Sequence, residues 1–433
     1  MHPNLSFEQA PPISVPYRFF VTAPWFGVAA GLVLAWLGSD ALVSRWTPGA
    51  LAVTHLLVTG FMLQAMCGAL LQFVPVAAGG NVWRPATLAM VVHPLLAVAA
   101  LLLATAFLTA KGFFFMAAAH IFAVAIGSYV VVVGFALRRT PAQGPTLMAL
   151  RLAVVGLAVT ATLGITLATS LGSGRSLPLI EITQVHAAWG LGGWALMLVI
   201  GVSYFVVPMF QLTPPYPARF AWALPPAMIL VLTLWSWQLG GTVAAWQKAV
   251  LFVGILLAAA YAAVTLILQS RRRRKVTDPT LFFFRGAMAS LLLIAASNLW
   301  FAFDADAGAD PRATVWIGLL AIPGVFVSVI SGMLYKIMPF LNWLHLQRLC
   351  GLGLPPPNMR NMISEQAMFG QMRLHFAALA ALLLAVPLPL LTRPAGLLFA
   401  ASCAWLGYNL AGGVRAYRRF RDQILASGAS QGS

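Results

Sequence analysis

Charge is what this sequence has least of. Of its 433 residues 8% are charged, against about 25% in an average soluble protein, and Asp and Glu together number 9. A chain that is 61% hydrophobic, with a mean hydropathy of +0.89, has too little polar surface to enclose a water-soluble globule. Soluble enzymes and soluble binding modules are thereby excluded. The shortage of acids separately excludes a carboxylate-rich cation site or a proton relay built on Asp and Glu. Cysteine is scarce as well. Cys67 and Cys403 lie in apolar segments and Cys350 in a basic loop, so no disulfide framework is implied. There is no phosphate-binding loop, HExxH helix or nucleophile elbow, which removes the commonest soluble chemistries. A basic stretch is also missing before Pro16, and the first apolar run is long enough to span. A membrane segment, not a cleavable leader, is therefore expected there.

Apolar length is what the chain has instead. A membrane span needs about 20 mostly apolar residues, and twelve stretches qualify, within 19–38, 50–76, 87–109, 113–137, 150–171, 182–209, 220–240, 245–269, 281–303, 313–340, 374–392 and 395–413. Three share an ending. Gly68 precedes Pro75 as Gly201 precedes Pro208 and Gly332 precedes Pro339, with Tyr204 and Tyr335 three residues after the later two glycines. The glycines are 133 and 131 residues apart. Recurrence at a fixed spacing signals repeated architecture. The expected fold is all-α: one transmembrane domain, 1–433, of about twelve helices in three pseudo-symmetric blocks of four (15–140, 145–270 and 280–415), with the shared ending on the second, sixth and tenth helices.

The net charge of +17 is read as topogenic charge, with no nucleic-acid partner. Loops on one side, with the ends of the helices they join, hold Arg18, Arg84, Arg138, Arg139, Arg151, Arg219, the run Arg271 to Lys275, Arg285, Lys336, Arg348, Arg360, Arg373 and Arg415 to Arg421. The other side holds only Arg45, Lys111, Arg175, Lys248, Arg312 and Arg393. By the positive-inside rule both termini are expected in the cytoplasm. The polar stretch from His345 to Arg373, with Pro355-Pro356-Pro357, reads as a cytoplasmic loop.

Ionisable groups within a bilayer suggest function, and histidine is the type that snorkelling does not explain. His55, His93, His120 and His186 lie in apolar helices and His375 at the start of another. The predicted topology puts His55, His120 and His186 in the outer part of their helices, roughly 10 Å deep. Three imidazoles at one depth on three helices are candidate ligands of one haem or copper. The plain alternative is that each bonds a hydroxyl or carbonyl on a neighbouring helix. That alternative is favoured for His93 and His375. Met62, Met66 and Cys67 are read as packing in preference to copper ligands. Trp189, Trp194 and Tyr204 fit a porphyrin wall or ordinary core equally. Glu181 is read as a solvated cap.

The segment from His186-Ala187-Ala188-Trp189-Gly190 through Gly201-Val202-Ser203-Tyr204 to Pro208 resembles the haem-copper oxidase superfamily, most of all its cbb3-type catalytic subunit. That superfamily is also a twelve-helix bundle of three four-helix arcs. His55-Leu56-Leu57-Val58-Thr59-Gly60 looks like its second helix, where a low-spin haem ligand sits. Trp316-Ile317-Gly318-Leu319 stands where the tenth helix would supply histidines, and the seventh helix lacks the adjacent histidine pair of the copper site. Of the six metal-ligand positions that the resemblance implies, His55 and His186 alone are filled. The usual oxygen-reducing centre is therefore not expected. The chain is closer to degenerate relatives such as the NnrS family of nitric-oxide-tolerance proteins, without the WHAHE-like segment associated with that family. The resemblance implies a bacterial inner-membrane protein binding b-type haem, copper or both through His55 and His186, with His120, by its depth, as the third candidate ligand. Its expected role is electron transfer or nitric-oxide handling, with a redox partner or second subunit, and any enzymatic activity is expected to be that of an oxidoreductase. The competing expectation is a permease for copper or a small solute that binds no haem, with Lys336 facing the substrate.

Overall fold

The computed structural model describes residues 9–430 apart from 142, 241–244, 274–275 and 351–356. His2, Arg274, Lys275, Pro355 and Pro356 lie outside the described residues. Among the described residues twelve helices are long and apolar enough to cross a membrane: α1 (Ser14–Leu42), α2 (Pro48–Ala78), α3 (Pro85–Thr109), α4 (Gly112–Arg139), α5 (Pro145–Ser173), α6 (Leu179–Gln211), α7 (Ala218–Gly240), α8 (Trp246–Ser270), α9 (Pro279–Phe303), α10 (Pro311–Leu349), α11 (Glu365–Ala385) and α12 (Pro389–Ala426). The protein is an all-α, multi-pass membrane protein. Twelve crossings return the chain to one side. We call that side the terminal face and the other the far face.

Several of these helices begin with a cap followed by proline. Thr47 accepts the Ala50 amide ahead of Pro48. Asp278 accepts that of Leu281 ahead of Pro279, and Asp310 that of Arg312 ahead of Pro311. The side chain satisfies an otherwise orphaned amide, and proline at the first helical position gives up no bond. Two of the scarce acids are thus used to start α9 and α10. Asp278 also holds Lys336 of α10 at 2.6 Å, so the lysine is paired within the bundle at the terminal face.

Burial separates an inner set from an outer one. In the most apolar stretch of α2, α6 and α10, 78%, 67% and 83% of residues are buried, against 50% or less in every other span. Outer helices meet at the block boundaries, α4 against α5, α8 against α9, and α12 back against α1. The last contact rests on small residues, as is usual where membrane helices approach closely. A Cβ on Gly31 would come within 2.6 Å of the Gly396 carbonyl oxygen. At the centre α10 touches both α2 and α6, and Phe73 of α2 meets Phe205 of α6 edge-on at 5.7 Å.

Each inner helix contains one π-helical stretch: Leu56–Met62, Trp189–Leu196 and Leu320–Val327. Each begins twelve residues before Gly68, Gly201 or Gly332, so the 133- and 131-residue intervals reappear in backbone geometry. They reappear in packing too. A Cβ on those glycines would press on Phe19, Ala149 and Phe283 of α1, α5 and α9 in turn. Gly60, Gly193 and Gly324, inside the π stretches, oppose Phe26, Gly156 and Ser290 of the same three helices.

Two segments differ from the sequence expectation. α10 does not end at Pro339 but runs to Leu349, where the Asn342 side-chain amide donates to the Gly413 carbonyl of α12 at 2.8 Å. α11 starts at Glu365, so Arg373 is helical and His375 lies ten residues inside the helix. Gln371 and His375 depress the apolar signal there, yet both are buried. The Gln371 amide reaches the Ser402 hydroxyl at 3.1 Å and His375 Nε2 lies 2.8 Å from Ser328 Oγ. A polar half-helix enters the bundle because its polar groups have partners on α12 and α10.

Candidate functional site

His55 and His186 stand at the same depth, seven residues into α2 and α6 from the far face. His55 directly precedes the π stretch of α2 and His186 lies three residues before that of α6. π insertions in α-helices occur frequently at functional sites, because the extra residue redirects side chains that a regular helix would fix. Counted on the repeat interval, the counterpart of His55 in α6 is Ala188. The two histidines are therefore offset by two residues on the repeat and do not occupy equivalent positions.

Both rings are held in the same way. His55 Nδ1 lies 2.7 Å from the Leu51 carbonyl oxygen, and His186 Nδ1 lies 3.0 Å from that of Thr160 on α5. A carbonyl oxygen only accepts, so each Nδ1 carries the proton and each Nε2 keeps its lone pair. This is the tautomer that a metal-binding histidine needs, with its second nitrogen fixed by the backbone. Neighbouring groups set the planes. The Phe107 ring of α3 lies 4.9 Å from that of His55. Gly164 of α5 leaves room for His186, since a Cβ there would fall 2.8 Å from His186 Cε1. Neither side chain is fully buried.

His120 does not join them. Its Nδ1 bonds the Met116 carbonyl of its own helix at 2.7 Å and it is exposed on the outer helix α4. Among the described residues no three His, Cys, Asp or Glu side chains are grouped to hold a metal, and His120 does not converge with the other two histidines. His120→Ala should change the stability by no more than about 0.5 kcal/mol, as for other exposed sites without special partners, measured by thermal unfolding in detergent. It should also leave any chromophore untouched.

The remaining histidines are satisfied by neighbours. His93 Nε2 lies 2.9 Å from Thr22 Oγ1 with Phe19 edge-on at 5.2 Å, and His375 pairs with Ser328. Met62, Met66 and Cys67 are packed in the core, and the Cys67 carbonyl accepts the Tyr129 hydroxyl at 2.9 Å. Trp189 donates from Nε1 to Ser236 Oγ at 2.8 Å and packs with Leu232 and Trp235 of α7. Tyr204 is elsewhere. It lies about 27 Å further along α6 at 1.5 Å per residue, against Tyr216 at 5.0 Å, and cannot share a wall with His186. Glu181 occupies the first turn of α6, where a negative charge favours the helix dipole.

Sequence reasoning missed the Thr160 carbonyl, Phe107 and Gly164. Of these only Gly164, a glycine within an apolar helix, carries a sequence signal. No family model and no curated protein matches this chain. Fold and site define a class, an all-α multi-pass membrane protein with two oriented histidines on its inner helices.

Proposed function

We propose that this protein is a haem-binding electron-transfer protein of the bacterial inner membrane, a divergent relative of the haem-copper oxidase catalytic subunit. His55 and His186 are the ligands, and both chain ends are cytoplasmic. The observation that carries this reading is the shared tautomer: two imidazoles at one depth, each with Nδ1–H on a backbone carbonyl and Nε2 free. Two neutral imidazoles fit b-type haem. They do not fit a copper centre of three or more donors, for which the described residues offer no further ligand. A haem held there supplies a one-electron couple. The chain's own part is to present the two nitrogens, with Phe107 against the His55 ring and Gly164 leaving room for that of His186. With both imidazoles given to the haem, the chain would supply it with a one-electron role, which is why electron transfer is preferred here to nitric-oxide handling.

The permease reading draws no support from the bundle's centre. The inner helices meet through aliphatic and aromatic side chains, and Lys336 is paired with Asp278. The test is the absorption spectrum and metal content of protein purified in detergent from haem-replete cells. A Soret band with sharp reduced α and β bands and about one iron per chain is expected. A colourless, iron-free preparation overturns the reading.

A further inference from the structure

Where α11 meets α12 on the outside of the bundle, towards the terminal face, lies an open groove of about 570 Å³. Its α11 side is a single helix face, since Gln366, Phe369, Gly370 and Arg373 recur at three- and four-residue steps. Trp405 of α12 forms the opposite wall. Gly370 admits that ring, for a Cβ there would fall 2.7 Å from Trp405 Cη2. α11 has 21 residues, about 31 Å at 1.5 Å per residue, which is the thickness of a bilayer's hydrocarbon core. Arg373, eight residues into the helix, therefore starts about 12 Å below its terminal-face end, yet it is exposed.

A cation at that depth is costly unless it reaches the headgroups or meets an anion. Among the described residues Arg373 has no hydrogen-bond or ion-pair partner, and no carboxylate lines the groove. Arg415, further along α12, is placed over the Tyr408 ring at 5.3 Å. One unpaired guanidinium matches one phosphodiester, which its planar fork can bind through two parallel bonds. Ser364, whose side chain caps no amide, and Gln366 offer hydrogen bonds to headgroup hydroxyls at the groove's mouth. Phe369 and Trp405 supply apolar wall for the glycerol and upper acyl carbons, at the level where tryptophan is enriched in membrane proteins. A headgroup ammonium would find no counter-charge here, so the groove selects a lipid of net negative charge.

We propose that this groove is a binding site for one acidic phospholipid, its phosphodiester on Arg373 and its headgroup hydroxyls on Ser364 and Gln366. The site lies on the outer surface of the bundle and does not depend on haem or on the histidines. The test is native mass spectrometry of delipidated protein offered phosphatidylglycerol or phosphatidylcholine, which share the phosphodiester and differ in the ammonium. The wild type should retain one phosphatidylglycerol in preference to phosphatidylcholine by at least about fivefold, the scale of one arginine at an anionic lipid surface. Arg373→Gln should abolish the preference, and Arg373→Lys, which keeps the charge without the fork, should fall between the two. Arg360→Gln removes an exposed arginine outside the groove and should bind as the wild type does. Equal retention of the two lipids overturns the site. So does an equal loss in Arg373→Gln and Arg360→Gln, which would mark general attraction to a basic face. Release of the lipid by inorganic phosphate would leave an anion site in place of a lipid site and overturns it as well.

Discussion

His186→Ala and His55→Ala are each expected to reduce the Soret absorbance per chain at least tenfold, with the protein still folded and inserted. Neither side chain is fully buried, and each makes one hydrogen bond to a backbone carbonyl. Truncation therefore removes little packing compared with loss of a metal–nitrogen bond. Gly164→Ala provides the finer measurement. It keeps both imidazoles but places a methyl group 2.8 Å from His186 Cε1, so the ring must turn away from its Thr160 anchor. Partners that only orient a ligand typically carry 10–100-fold in metal affinity. Gly164→Ala should lower haem retention by about that factor and shift the reduction midpoint of what remains. A purely structural role for His186 would leave the midpoint unchanged. Spectra of His55→Ala and His186→Ala that match the wild type would remove both residues from the ligand set.

The architecture was legible because a bilayer imposes length and apolarity on every span, and both survive in sequence. The inner helices were legible from three glycines at a nearly constant interval. What the interval could not show was the π stretch twelve residues earlier, since no single residue type encodes an extra residue per turn. The polar start of α11 was misread for the opposite reason. Gln371 looks like loop and His375 like a helix start until Ser402 and Ser328, distant in the chain, are seen to satisfy them inside the helix. The site was half legible. Histidine within an apolar helix, sorted by depth, sets His55, His186 and His120 apart from His93 and His375, but does not set His120 apart from the other two. Only the partners of the ring nitrogens separate a free Nε2 from one already paired or turned outward. Those partners are mostly backbone carbonyls, which every residue possesses and no sequence marks.

Gly156→Ala is expected to be among the most destabilising single-methyl changes in the chain. A Cβ on Gly156 would overlap the carbonyl of Gly193 and lie 2.8 Å from the Trp194 amide nitrogen. The obstacle is backbone, which cannot rotate aside as a side chain does, so α5 and α6 must separate along a contact that orders both. Overpacking of this kind costs typically 1–3 kcal/mol, a large share of a total stability of about 5–15 kcal/mol. The displacement also reaches the histidine site. Thr160, one turn along α5 from Gly156, donates to its carbonyl at 2.7 Å and presents its own carbonyl to His186. Haem retention should therefore fall together with Tm, although Gly156 touches neither imidazole. The control is Gly127→Ala in α4, where an added Cβ meets nothing within 4 Å. Alanine in place of a helical glycine with open space should stabilise by about 0.5–1 kcal/mol. The two variants insert the same methyl group into helices of the same membrane bundle, so the difference in their melting temperatures in one detergent isolates the α5–α6 contact. Equal melting temperatures would show that the two backbones do not approach as described, and the placement of the Thr160 carbonyl against His186 would fall with them.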